Sequence, residues 1–150
     1  IFHLDFIHVI VFQIIHNLTH TVSFQFAVFR IGEVLREIPA GKLDSAQENP
    51  LDCAVRELRE ETGLTAGRMT YMTTILTTPG FCTEKIALYL AQDLEQGETH
   101  PDEDEFLDRI RMPLDEAVKR ILQGEICDSK TICGLMMAKA WINSQGETRT

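Results

Sequence analysis

Cysteine is scarce in this chain and never closely paired. The four cysteines are scattered without a C-x-x-C pair, and one of them, Cys53, lies inside a helical stretch. Neither a disulfide framework nor a structural zinc site is therefore indicated. We expect reduced thiols in the core or at the surface, at Cys53, Cys82, Cys127 and Cys133.

Basic residues are also few. The chain has 14 Lys and Arg against 23 Asp and Glu, a formal charge of −9. That charge repels nucleic-acid backbones and anionic membranes, so a polyanionic substrate would need metal ions in order to bind. We expect no nucleic-acid partner, no membrane partner and a cytoplasmic location.

A long uninterrupted apolar run is missing as well. The first 20 residues are largely apolar, but Asp5 and Gln13 interrupt the run. No Lys or Arg precedes Arg30. A secretory signal needs a basic start, and a spanning helix needs about 20 apolar residues. We expect one or two buried strands here. Because the chain opens on Ile1 without a methionine, we expect it to begin mid-gene or at a processed end.

Strand and helix patterns alternate along the rest of the chain. The 150 residues suffice for one core and carry no internal repeat or second composition zone, so we expect a single domain over residues 1–150. β-branched and aromatic content predicts strands, and apolar spacing predicts two helices beyond Pro113, the second capped by Asp128 or Ser129. Mixed elements of this kind indicate an α+β or α/β layered domain. The expected strands are 22–29, 69–78 and 84–94; the breaks are 39–41, 79–83 and 95–106; the late helices are 114–124 and a last one through Trp141.

The clearest single element is a helix over residues 50–62. Asn49 fits the N-cap, Pro50 the first helical position and Gly63 the left-handed C-terminal cap. A helical wheel gathers four apolar residues on one buried face, namely Leu51, Ala54, Val55 and Leu58.

The same helix ends in negative charge, where its dipole disfavours carboxylates. On the wheel Glu57 and Glu61 lie at the rim of the buried face, whereas Glu60 points nearly opposite. Like charges one turn apart raise a pKa or recruit a cation, and paired carboxylates suit Mg²⁺ or Mn²⁺. The alternative is a solvated acidic face on which Arg56 pairs with Glu60.

The stretch GKLDSAQENPLDCAVRELREETGL resembles the Nudix box, the loop-helix signature of hydrolases of nucleoside diphosphates linked to another group. RELREETGL matches at every constrained position, and Glu48 stands at the family's spacing before Arg56. The opening Gly41 is one residue further from Glu48 than the family pattern has it, so the loop is lengthened by one. The resemblance implies a Nudix fold, an α/β/α sandwich with a mixed β-sheet between helices.

The flanking segments resemble the ADP-ribose pyrophosphatase branch of that family. The resemblance covers residues 31–142 and leaves 1–20 atypical; the segments are REIPAGKLD, TTPGFCTEKIALYLA, PDEDEF and GEICDSKT. It implies a pyrophosphohydrolase that uses Mg²⁺, or Mn²⁺, to split ADP-ribose or a related nucleoside diphosphate sugar into a nucleoside monophosphate and a sugar phosphate.

The resemblance also implies the site. Its metal ligands map onto the backbone carbonyl of Ala40 and onto the carboxylates of Glu57, Glu60, Glu61 and Glu105. Glu57, Glu61 and Glu103 are the catalytic candidates. Glu103 is the expected general base, with Asp104 and Glu105 left as alternatives for that role.

Substrate recognition departs from the family pattern. Ala27 stands where the family has an arginine, so Arg30 or Arg36 is expected to replace it. Gly80, Phe81 and Glu84 in the PGF-x-x-E turn are further candidates for substrate contact. The family's N-terminal strands also build a dimer, and a homodimer stays open here.

Two other functions remain open. The first is the same chemistry on another nucleoside diphosphate derivative, such as a dinucleotide, a UDP-sugar or a nucleoside triphosphate. The second is a non-catalytic module that binds nucleotide sugars. The full set of Nudix-box glutamates favours an enzyme.

Overall fold

A computed structural model describes residues 7–13, 21–28, 34–97 and 110–147. Seven strands and three helices occur in these ranges. The strands are β1 (Ile7–Gln13), β2 (Thr21–Val28), β3 (Val34–Glu37), β4 (Ala40–Lys42), β5 (Leu64–Leu76), β6 (Lys85–Gln96) and β7 (Ile110–Pro113). The helices are α1 (Pro50–Thr62), α2 (Leu114–Leu122) and α3 (Ser129–Glu147).

The strands form two sheets. The larger has the order β4-β1-β6-β5, and the smaller has the order β3-β2-β7. In the larger sheet β1 runs parallel to β6, whereas β4 and β5 are antiparallel to their neighbours. The larger sheet is therefore mixed.

Strand β6 separates two hydrophobic cores. Its run IALYLA is buried throughout, as expected for a strand covered on both faces. Alternate side chains face opposite sides: Ile86, Leu88 and Leu90 pack with residues of α2 and α3, while the residues between them pack with α1. The sheet thus lies between helices, which confirms the α+β sandwich with a mixed sheet.

Most of the expected elements are confirmed. Helix α1 has the predicted bounds and caps, and Asp128 accepts a hydrogen bond from the backbone N–H of Thr131 as the cap of α3. Strand β5 begins five residues before and ends two residues before the expected strand 69–78, β6 continues two residues into the expected break at 95–106, and α3 continues past Trp141. Residues 7–13 do form a strand, and the four cysteines are free. In the described part of the chain, no helix has the length and apolar character needed to span a membrane.

Two predictions were wrong in detail. The expected break at 39–41 is shorter, because residues 40–42 pair with β1 as strand β4. The buried face of α1 is also misplaced: Leu51 and Val55 are 39% and 47% exposed, and Cys53 and Thr62 are buried instead. That face is turned by roughly 30° toward the side of the glutamates, because α1 contacts β1 and β4 as well as the β5–β6 hairpin.

Candidate active site

The loop and the helix that carry the acidic residues are fixed by local hydrogen bonds. The side chain of Asn49 accepts from the backbone N–H of Leu51 at 2.8 Å, which begins α1. Gly63 ends the helix at φ 68°, and its N–H donates to the carbonyl of Arg59 at 2.8 Å. Glycine adopts this left-handed conformation without a Cβ penalty. These two caps therefore fix where α1 begins and where it ends.

Glu57 lies directly against the backbone of Gly41. A Cβ built on Gly41 would stand 1.8 Å from Cδ of Glu57 and 2.0 Å from its Oε1. The Glu57 side chain is only 13% exposed. A glycine at position 41 is thus what allows this carboxylate to sit on β4.

Glu61, one turn later, reaches the preceding residue of the same strand. Its Oε2 accepts a hydrogen bond from the backbone N–H of Ala40 at 3.0 Å. The two rim carboxylates therefore meet consecutive residues of β4. The structure brings together Ala40, Glu57 and Glu61, which the sequence placed in one site.

Arg56 is the cationic centre of this region. Its guanidinium forms ion pairs with Glu57 at 2.7 Å, Glu48 at 3.2 Å, Glu60 at 3.3 Å and Asp44 at 3.4 Å. It also donates to the carbonyl of Lys42 at 3.2 Å, which joins α1 to β4. The single guanidinium of Arg56 thus pairs with four carboxylates.

Glu60 occupies a different environment from its neighbours. It is 54% exposed, and its Oε2 accepts from Arg56 at 3.3 Å. The i, i+4 pair of Arg56 with Glu60, which was the alternative to a metal site, is therefore present. It does not involve Glu61, which contacts β4 instead.

Burial and charge shift the proton affinities of these groups. Burial raises the pKa of Glu57, and the nearby charges of Glu60 and Asp44 add to the rise against the opposing hydrogen bond and charge of Arg56. For Arg56, burial lowers the pKa, but hydrogen bonds to Glu57 and Glu48 outweigh it and the net shift is upward. Arg56 thus stays charged, whereas burial, more than the neighbouring carboxylates, penalises the charged form of Glu57.

The donors suit a hard divalent cation. No three His, Cys, Asp or Glu side chains in the described ranges converge into a ready cage. Mg²⁺ does not need one, since it keeps several waters and binds through one or two carboxylates plus substrate phosphates. Glu57 and Glu61 lie on adjacent residues of β4 and supply oxygen donors of that type. The residues present therefore fit such an ion.

The PGF-x-x-E turn joins β5 to β6. Lys42 pairs with His8 and His8 with Ile86, so the turn lies beyond the end of the sheet where β4 finishes. Phe81 is 70% exposed, and a Cβ on Gly80 would meet no atom within 4 Å. Phe81 is therefore not a core residue, and Glu84, three positions later, is half-buried.

The remaining candidates divide into two groups. Arg36 lies on β3, where its Nη1 donates to Oε2 of Glu125 at 3.3 Å. This contact joins β3 to the segment between α2 and α3. The others lie outside the described residues: Arg30, Glu103, Asp104 and Glu105.

One buried polar cluster was not predicted from the sequence. Lys130 pairs with Glu37 at 2.9 Å and with Asp128 at 2.8 Å, and all three side chains are at most 15% exposed. Thr131 accepts from the backbone N–H of Ile38 at 3.2 Å and donates to Asp128 at 2.6 Å. The segments REIPAGKLD and GEICDSKT, which carry the family resemblance, contained these residues but not their pairing.

The sequence and the fold have counterparts among known proteins. A sequence model of the NUDIX domain matches residues 20–133. The chain therefore belongs to the Nudix family. A crystal structure of an ADP compounds hydrolase has the same fold, with a TM-score of 0.82 over 96% of this chain and 76% of that chain at 22% sequence identity.

Curated relatives are similar over the central part of the chain. The chain is 47% identical over 98 residues to a methanol dehydrogenase activator of Bacillus methanolicus, covering 64% of this chain and 52% of that protein. It is 42% identical over 97 residues to an ADP-ribose pyrophosphatase of Bacillus subtilis, covering 63% and 52%. A protein of the same name from Mycobacterium tuberculosis is 40% identical over 112 residues, covering 73% and 54%. The chain spans about half the length of these curated relatives.

Proposed function

We propose that this protein is a Mg²⁺-dependent pyrophosphohydrolase that splits ADP-ribose, or a related nucleoside diphosphate sugar, into AMP (or another nucleoside monophosphate) and a sugar phosphate. The observation that carries the proposal is the placement of Glu57 and Glu61 on adjacent residues of β4. Two relatives at 42% and 40% identity are named ADP-ribose pyrophosphatases, which supports the substrate class.

The residues of this chain take separate roles in the proposed reaction. Glu57, Glu61 and the carbonyl of Ala40 would hold Mg²⁺, with Glu60 and Glu105 as further ligands. When bound, the ion neutralises diphosphate oxygens and lowers the pKa of water. Arg56 holds Glu57 and Glu48 in place, and the Gly41 backbone leaves room for the Glu57 carboxylate.

The general base is assigned to the acidic segment PDEDEF. Glu103 would accept the proton of the attacking water, with Asp104 and Glu105 as the alternatives. Gly80, Phe81 and Glu84, at the end of the sheet where β4 finishes, are proposed to contact the substrate. Arg36 or Arg30 would replace the family arginine absent at Ala27.

The experiment is a turnover assay on a panel of substrates with Mg²⁺. We expect ADP-ribose to yield AMP and ribose 5-phosphate, and Glu61→Gln to abolish this turnover. Glu103→Gln should lower kcat more than it weakens substrate binding. Lack of turnover across ADP-ribose, UDP- and GDP-sugars, dinucleotides and nucleoside triphosphates would refute the proposal in favour of a non-catalytic binding module.

The panel also separates the closest alternative substrates. Relatives named GDP-mannose pyrophosphatase are 31–33% identical to this chain, for example 33% over 109 residues in Yersinia enterocolitica. A higher kcat/KM for GDP-mannose than for ADP-ribose would leave the proposed hydrolysis of the diphosphate intact. It would change the preferred nucleobase from adenine to guanine.

A second candidate function comes from the relative at 47% identity, which is named a methanol dehydrogenase activator. Under this alternative the protein would raise the rate of a methanol dehydrogenase. The assay adds the protein, with Mg²⁺, to the Bacillus methanolicus dehydrogenase. A rate equal to that with Glu61→Gln added would exclude activation through this site.

A further inference from the structure

The buried polar cluster at the start of α3 contacts Ile38, two residues before Ala40 of the candidate cation site. It consists of Glu37, Asp128, Lys130 and Thr131, and we call it the α3 clamp. Asp128 is shared, because its Oδ1 pairs with Lys130 and its Oδ2 accepts from the hydroxyl and the backbone N–H of Thr131. The clamp is thus one connected network.

The α3 clamp binds the end of β3 and the residue that follows it, just before β4. Lys130 binds the side chain of Glu37 at 2.9 Å, and the hydroxyl of Thr131 binds the backbone N–H of Ile38 at 3.2 Å. Thr131 and Ile38 are 0% and 2% exposed. Water therefore cannot easily replace these contacts, and the position of Ile38 is set by α3.

Only Pro39 lies between Ile38, which the α3 clamp binds, and Ala40. Proline fixes its own φ near −65° and restricts the residue before it, so little backbone freedom remains across the junction. Ala40 in turn donates its N–H to Glu61 at 3.0 Å. A continuous path of contacts therefore runs from α3, through Ile38 and Ala40, to a carboxylate of α1.

We propose that the α3 clamp is a positioning device for the cation site, in which Lys130 and Thr131 set the Ala40 backbone opposite Glu61 and thereby raise the affinity for a divalent cation. This inference rests on the cation site of the proposed function. Neither residue touches the ion; both act through the Ile38–Ala40 backbone. Groups hydrogen-bonded directly to a metal ligand typically contribute about 10–100-fold to metal affinity, and the clamp, which acts two residues before Ala40, is expected to contribute at the lower end of this range.

The test measures Mn²⁺ binding without substrate, from the electron paramagnetic resonance signal of free Mn²⁺ in the presence of the protein. Thr131→Val keeps the side-chain shape and removes its hydroxyl hydrogen bonds, and we expect its Mn²⁺ dissociation constant to rise about tenfold. Lys130→Met should do the same, and Lys130→Arg should restore part of the affinity. Because Lys130→Met leaves two buried carboxylates without their cation and is expected to fold poorly, Thr131→Val decides.

Two matched variants separate positioning from general stability. Lys139→Met is the same substitution on the same helix and removes the exposed pair with Asp115. Ile142→Ala removes a partly buried side chain that packs on the core around α3, and it should lower the melting temperature. Both should keep the wild-type dissociation constant for Mn²⁺.

Folded Thr131→Val protein that binds Mn²⁺ as tightly as wild type would overturn the proposal, and so would wild-type protein that binds no Mn²⁺. In the turnover assay the clamp variants should raise the half-saturating Mg²⁺ concentration and leave kcat at saturating Mg²⁺ near wild type. If wild type binds Mn²⁺, the clamp variants weaken that binding and no nucleotide is hydrolysed, the positioning role stands and the proposed function fails.

Discussion

The carboxylate of Glu57 occupies the space that a side chain at position 41 would need. A Cβ on Gly41 would lie 1.8 Å from Cδ of Glu57, 2.0 Å from Oε1 and 2.4 Å from Cγ. These atoms form the far part of a flexible side chain, so the clash can be relieved by moving the carboxylate rather than the backbone. The identity of residue 41 therefore controls where Glu57 points, with little cost to the fold.

Gly41→Ala should consequently separate function from stability. We expect the Mn²⁺ dissociation constant to rise about 10–100-fold because Glu57 is displaced from β4, while the free energy of unfolding changes by less than about 1 kcal/mol. Mn²⁺ titration and urea denaturation measure the two quantities. Gly67→Ala is the control, since its new Cβ meets only Asp93, at 3.2 Å. Equal Mn²⁺ affinity in the two variants would contradict the role of Gly41.

Arg56→Met should destabilise the protein through the four carboxylates that it leaves without their cation. Exposed ion pairs contribute about 0–1 kcal/mol and broken buried pairs cost about 3–5 kcal/mol. Arg56 is 23% exposed, so we expect a loss of about 1–3 kcal/mol in urea denaturation. Arg68→Met removes an exposed pair with Asp93 at 3.7 Å and should lose far less. Equal losses would mean that the Arg56 pairs are no more than surface contacts.

The raised pKa of Glu57 gives a pH dependence with a defined sign. The folded protein holds the proton of Glu57 more tightly than the unfolded chain, chiefly because burial penalises the carboxylate. The wild type therefore loses stability relative to Glu57→Gln as pH rises from the ordinary value of 4.5 through the raised pKa. Urea denaturation of both proteins with EDTA, across this window, measures the difference. A difference that stays flat or changes in the opposite direction would contradict the burial of Glu57.

Local features of the sequence were enough to predict α1 and its glutamates. Asn49, Pro50 and Gly63 act within one turn of the helix ends, so their residue types determine the caps without knowledge of the rest of the fold. The buried face of α1 was harder, because burial depends on where the sheet lies. Cys53 is buried since it faces β4, where its thiol donates to the carbonyl of Lys42 at 3.4 Å.

Long-range polar contacts could not be predicted in this way. Ile38 and Thr131 are 93 positions apart, and their hydrogen bond depends on α3 beginning beside the end of β3. No periodicity or capping signal joins such residues in a single sequence. The segments that hold them could be recognised by family resemblance, but the α3 clamp itself requires the structure.

Two cysteines, Cys53 in α1 and Cys82 in the turn between β5 and β6, provide a chemical test of how these segments are packed. Burial, reinforced by the charge of Glu48, raises the pKa of Cys53 to about 12, and this thiol is 0% exposed. Hydrogen bonds to Thr77 and Thr78 lower the pKa of Cys82 in the turn before β6. Because the thiolate is the reactive form, Cys82 should react with iodoacetamide at neutral pH in the native protein, and Cys53 only after unfolding.

Mass spectrometry of peptides from protein alkylated at a series of pH values measures both rates. Thr77→Val removes one of the hydrogen bonds to Cys82, at 3.3 Å, and should move the alkylation profile of Cys82 to higher pH without exposing Cys53. A native protein in which Cys53 reacts as fast as Cys82 would show that α1 does not seal this thiol against β4. An unchanged Cys82 profile in Thr77→Val would remove the threonine hydroxyl as a cause of the lowered pKa.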